Sequence, residues 1–78
     1  RIEMGETIIK QLTGLELVRV RDMDGTAKIE VELNNIPALY EKNYLEQIVN
    51  KLQMIGFNSV IVDPDGYRSG SLNLIYEK

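Results

Sequence analysis

Apolar residues recur near the start of the chain at Met4, Ile8, Ile9, Leu12 and Leu15. That spacing marks one face of a helix. It predicts a helix over about residues 2–12, with Gly14 as the stop just beyond its last turn.

The period then changes from helical to alternating. Glu16–Arg21 and Thr26–Leu33 each switch between apolar and polar positions, and Asp24-Gly25 lies between them. Asp-Gly suits a two-residue hairpin loop because both positions tolerate positive φ. The resulting register pairs Val20 with Ile29 and Val18 with Val31 on one face. On the other face it pairs Arg21 with Lys28 and Arg19 with Glu30. Apolar residues meet apolar ones and polar meet polar, as a half-buried sheet requires. Asp22 and Asp24 are expected to serve the turn.

Asn35-Ile36-Pro37-Ala38-Leu39-Tyr40 reads as a short turn or helical stub. Asn43 and Glu46 have the spacing of a capping box. Leu45, Ile48, Val49, Leu52 and Ile55 form the apolar stripe of a second helix, and Gly56 is its C-terminal cap. Ser59–Asp63 is a short apolar run of buried-strand type. Pro64-Asp65-Gly66 is a turn, followed by a Gly/Ser-containing tail that ends in Leu74, Ile75 and Tyr76. The order α-β-β-α-β predicts an α+β fold. The expected form is a small two-layer domain with a β-hairpin, a three-stranded sheet and helices on one face. The 78 residues suffice for a single domain, 1–78.

Composition narrows the chemistry. There are no cysteines and no histidines. Disulfides, Cys/His zinc sites and Ser-His or Cys-His catalytic pairs are therefore excluded within these residues. The net charge is −3, which does not suit a general nucleic-acid or membrane-surface binder. No apolar run approaches the roughly 20 residues needed to span a bilayer. No signal-peptide pattern is present, so a cytoplasmic setting is expected. A start at Arg1, directly in a helical pattern, reads as a piece excised from a longer chain.

Two segments could carry binding chemistry. Arg19, Arg21, Lys28 and Glu30 share the polar face of the hairpin. Two arginines at i and i+2 on a strand project the same way and can grip phosphate or carboxylate oxygens. An arginine opposite a lysine repels unless an anion or a carboxylate lies close. The alternative is a solvated face on which Glu30 and Glu32 neutralise the bases. The second segment is Gly66-Tyr67-Arg68-Ser69-Gly70-Ser71, which follows a strand as ligand loops often do. Its glycines let backbone amides approach an anion, and Arg68, Ser69 and Ser71 add side-chain donors. It lacks the Gly-Lys-Ser/Thr ending of a Walker loop. The alternative is a plain C-terminal tail. The acids show no spacing typical of acid/base or metal-loop sites, so no catalytic residue is expected here.

Several motifs occur in one order: Arg1-Ile2-Glu3, Val18-Arg19-Val20-Arg21, Ala27-Lys28-Ile29-Glu30-Val31, Ile55-Gly56-Phe57 and Asp65-Gly66-Tyr67-Arg68-Ser69-Gly70-Ser71-Leu72-Asn73. Together they resemble the C-terminal region of the LarE-like ATP-dependent sacrificial sulfur transferases, of the PP-loop ATP pyrophosphatase superfamily. The resemblance implies that adenylylation and sulfur donation lie upstream, in a PP-loop domain that uses ATP and Mg. It implies that this region helps form the substrate pocket and the contacts of a homo-oligomer. Arg19 and Arg21 match the family's paired arginines, which hold a phosphate or anionic substrate. Glu30 matches its strand glutamate, and Glu6 matches an acid of the preceding helix. The turn Asp22-Met23-Asp24-Gly25 stands where the family commonly has His-Gly. Lys28 stands for an arginine, which keeps the charge and loses the planar fork. The implied function is the substrate-side domain of such an enzyme. The alternative is a non-enzymatic oligomerisation or protein-interaction domain.

Overall fold

A computed structural model describes residues 1–67. Helix α1 covers Ile2–Thr13, strand β1 Val18–Met23 and strand β2 Thr26–Val31. A 3-10 turn at Leu33–Asn35 leads into the one-turn helix α2, Ile36–Leu39. Helix α3 spans Tyr44–Met54 and strand β3 Ser59–Val62. The fold is the expected α+β arrangement, with the stub at Asn35–Tyr40 realised as the 3-10 turn and α2.

The hairpin register is the one read from the sequence, with Val18 opposite Val31, Val20 opposite Ile29 and Arg21 opposite Lys28. Asp24 (φ 56°) and Gly25 (φ 96°) both adopt the left-handed region, as a right-twisted two-residue hairpin demands. Asp22 Oδ1 accepts the Gly25 N–H at 2.9 Å and closes the turn. Strand β3 pairs in parallel with β2, giving the order β1-β2-β3. A parallel pair needs a long crossover, and α2 and α3 supply it.

Alternation divides the sheet into two faces. One face carries Val18, Val20, Ala27, Ile29 and Val31, all buried. Helices α1 and α3 cover it, adding Ile9, Ile48 and Leu52, while Leu39 and Phe57 complete the core. At roughly 1.5–3 kcal/mol per buried aliphatic or aromatic side chain, this cluster supplies the main driving force for folding. The buried line of α1 differs from the expected stripe. Met4 is 55% exposed, and Gly5 and Ile9 face the sheet instead. A Cβ on Gly5 would lie 3.1 Å from Leu52 Cδ2 and 3.7 Å from Val20 Cγ2. The absent side chain is what lets α1 approach β1 and α3 this closely.

Both helix ends follow the sequence. Gly14 is left-handed, and its N–H donates to Lys10 O. After α3, Gly56 N–H donates to Gln53 O and Phe57 N–H to Leu52 O, the paired bonds of a Schellman cap. The start of α3 does not follow it. Asn43 is the N-cap residue but makes no capping hydrogen bond. Its Oδ1 accepts Gln47 Nε2 at 2.7 Å, and that contact takes the place of the capping box.

Candidate functional site

The second face of the sheet is covered by neither helix. The register arranges its side chains in rows across the strands. Met23, Thr26 and Ser59 form the row at the hairpin end; Arg21, Lys28 and Ile61 form the next. Arg19 stands opposite Glu30. Asp63 follows β3 in the same phase, and its N–H donates to Ile29 O at 2.9 Å, which extends that row to Arg19, Glu30 and Asp63.

Each row alone is electrostatically poor. Lys28 lies opposite Arg21, and like charges directly opposite destabilise a sheet. Glu30 and Asp63 are 9% and 7% exposed, and buried carboxylates are costly unless paired. Diagonal contacts resolve both problems. Arg21 Nε donates to Glu30 Oε1 at 3.3 Å, and Lys28 Nζ lies 3.2 Å from Asp63 Oδ2. Arg21, Lys28, Glu30, Asp63 and Gly66 line a shallow polar depression of about 250 Å³. Arg21 binds Glu30 through Nε, so its terminal amino groups remain to meet a ligand oxygen.

Arg19 is arranged differently. Its Nε lies 3.8 Å from Glu6 Oε2, a loose ion pair. Its Cζ sits 5.7 Å from the centre of the Tyr67 ring, within cation–π range. Glu6 has a second contact, accepting the Val20 N–H at 3.0 Å. In this register the Val20 N–H points away from β2, along the free edge of the sheet. Glu6 thus ties α1 to that edge and reaches Arg19 from the side.

Arg19, Arg21, Lys28 and Glu30 are therefore gathered on one open face, as expected. Glu6 borders that face and stands off it. The neutralising partner differs from the expected Glu32, which is exposed beyond the end of β2. Asp63 does that work. The sequence places Asp63 at the end of the strand, just before the turn, and its alternation with Ser59 and Ile61 was a usable signal for the open face. Arg68 and Ser69 lie outside the described residues, as does most of the Gly66–Ser71 segment. Its first two residues are structured against β2. After the Pro64-Asp65-Gly66 turn, Tyr67 N–H donates to Val31 O at 2.6 Å. Gly66 has φ 74°, and a Cβ there would lie 2.8 Å from Val31 O, so the turn requires glycine.

Among the described residues, no group of three or more His, Cys, Asp or Glu side chains could hold a metal ion. No helix among them is long and apolar enough to cross a membrane.

No family model matches the chain. The uncharacterized protein slr1717 of Synechocystis sp. (strain ATCC 27184 / PCC 6803 / Kazusa) is 33% identical over 78 residues, which is 100% of this chain. The chain spans 29% of the length of that relative.

Proposed function

We propose that this domain is the C-terminal, substrate-side domain of a PP-loop ATP-utilising enzyme similar to the LarE-like sulfur transferases. Its open sheet face holds an anionic, phosphate-bearing group of the substrate. The observation that carries the reading is the set of Arg19, Arg21 and Lys28 on one uncovered face, with Glu30 nearly buried among them. Arg21 is fixed by Glu30 through one nitrogen, which leaves a preorganised pair of donors. Lys28 and Arg19 flank it. The relative that matches the whole chain is a much longer protein, which fits a domain acting beside others.

The division of labour is the one that the resemblance implies. The chain has no PP-loop motif and no cysteine. As the resemblance implies, ATP, Mg, adenylylation and sulfur donation belong to an upstream domain. In this reading the face binds and orients, and the chemistry occurs elsewhere in a cytoplasmic homo-oligomer.

A second reading has its own observation. Every cation of the face already has an acid of the same chain beside it, and Met23 and Ile61 are exposed on the same face. Such a surface also suits a docking partner in a non-enzymatic interaction domain.

Titration with inorganic phosphate and with a mononucleotide, followed by NMR, separates the two readings. The anion reading expects saturable shifts at Arg19, Arg21 and Lys28, abolished in the Arg19→Ala plus Arg21→Ala variant with assembly unchanged. Absence of shifts at those residues sinks it. Loss of assembly by light scattering, with anion binding intact, favours the interaction domain.

A further inference from the structure

Asp63 makes contacts through both carboxyl oxygens and its backbone carbonyl, and it was not among the residues expected to bind. Its Oδ2 faces Lys28 Nζ at 3.2 Å. Its Oδ1 accepts the Asp65 N–H at 2.9 Å, and its backbone carbonyl accepts the Gly66 N–H at 3.1 Å. These last two bonds define the turn that returns the chain to β2, where Tyr67 N–H meets Val31 O. The Tyr67 ring then lies against the Arg19 guanidinium.

We infer that Asp63 is the positioning residue of the basic face. One carboxyl oxygen sets Lys28 directly, and the other sets Arg19 through the turn and the Tyr67 ring. The two flanks of Arg21 thus depend on one buried carboxylate. The inference rests on the anion-binding reading for its purpose, while the positioning itself is measurable without any ligand.

Two substitutions separate the two oxygens. Asp63→Asn removes the charge that holds Lys28 but keeps an oxygen able to cap the turn, since asparagine forms the same local bond. Asp63→Ala removes both. The test is NMR on the full chain, reading three signals: the Lys28 side-chain resonances, the ring-current shift of the Arg19 side chain and amide exchange at Tyr67. The Asn variant is expected to move Lys28 and leave Arg19 and Tyr67 near their wild-type values. The Ala variant is expected to change all three. Survival of the Arg19 and Tyr67 signals in a folded Ala variant overturns the inference. So does an Asn variant in which Lys28 does not move, and that arm stands even if the Ala variant does not fold.

Inorganic phosphate then tests the purpose. Both variants lose the same negative charge, so their difference reports positioning alone. Phosphate is expected to bind the Ala variant about fivefold more weakly than the Asn variant, the equivalent of one ordinary hydrogen bond. Equal affinities would overturn the role in binding. Absence of phosphate binding in the wild type as well tells against the anion reading, and the ligand-free signals still decide whether Asp63 positions Lys28 and Arg19.

Discussion

Glu6 of α1 accepts the backbone N–H of Val20 at 3.0 Å and so occupies a donor on the free edge of β1. Unpaired edge donors invite pairing with another strand, and a half-buried one costs free energy when left without a partner. Glu6→Gln keeps an acceptor at this position, whereas Glu6→Ala does not. Urea unfolding is expected to show Glu6→Ala less stable by about 1–2 kcal/mol and Glu6→Gln nearly unchanged. Equal losses in both would mean that the charge near Arg19, and not the edge bond, is what matters.

Arg21 and Arg19 are both exposed arginines, but their partners differ. Glu30 is 9% exposed and depends on Arg21, while Glu6 has the Val20 N–H as well as Arg19. Removing one member of a pair is costly when the remaining charge is buried. Arg21→Ala is expected to destabilise by about 1–2 kcal/mol, less than a fully buried pair because Arg21 itself is solvated. Arg19→Ala is expected to stay within about 0.5 kcal/mol of wild type. Chemical denaturation of the two single variants checks the ranking, which also shows which one is the cleaner probe of anion binding.

Gly66 joins a left-handed backbone to a close approach. A methyl group there would press on Val31 O at 2.8 Å and Leu33 N at 3.1 Å, both backbone atoms that cannot step aside. Gly66→Ala is expected to cost about 1–3 kcal/mol. It should also raise amide exchange at Tyr67, whose N–H holds the neighbouring bond to Val31 O. Unchanged exchange at Tyr67 would contradict this account of the turn.

The hairpin was legible because Asp24-Gly25 and the alternation on either side specify one register between them, and a one-residue slip would bury Arg19 and Arg21. From that register the co-facial bases followed. The parallel pairing of β3 was not legible, since a four-residue apolar run carries no direction. Without it, Asp63 could not be set beside Lys28. The role of Gly5 was not legible for a related reason: periodicity marks side chains, and here the contact depends on the lack of one. Met4 fits the helical stripe by spacing, yet it is 55% exposed, and Gly5 and Ile9 are the buried positions of α1. The contacts of Arg1 were not legible either. Its guanidinium reaches Asp22 Oδ2 at 2.6 Å and Gly56 O at 3.1 Å and covers the Phe57 ring, contacts between segments far apart in sequence.

The Arg1–Asp22 contact makes stability depend on acid. The Arg1 side-chain hydrogen bond, followed by the Gly25 N–H, holds the Asp22 carboxyl below its ordinary value of 3.8. A carboxyl depressed in the folded state binds protons more weakly there than in the unfolded chain. Its contribution is therefore fully present above the ordinary value and is lost as pH falls through the depressed one. Asp22→Asn keeps an oxygen for the Gly25 N–H and removes the titration. Urea midpoints measured from neutral pH down to about 2.5 should fall less steeply below about pH 4 in the variant. Parallel curves would exclude Asp22 as a source of the acid slope.

The start of α3 gives the sharpest contrast between local pattern and structure. Asn43 and Glu46 have capping-box spacing, and a working box satisfies two helix amides reciprocally. The Asn43 side chain instead takes the Gln47 amide at 2.7 Å, with its backbone at φ −117° and ψ 34°. Glu46 then keeps only its favourable position near the positive end of the helix dipole, where an exposed carboxylate contributes a few tenths of a kcal/mol. Glu46→Gln retains a group able to complete a box, and Glu46→Ala does not. The structure expects both variants to lie within about 0.5 kcal/mol of each other by thermal unfolding. A working box would instead leave the Ala variant about 1 kcal/mol below the Gln variant, in line with other lost caps.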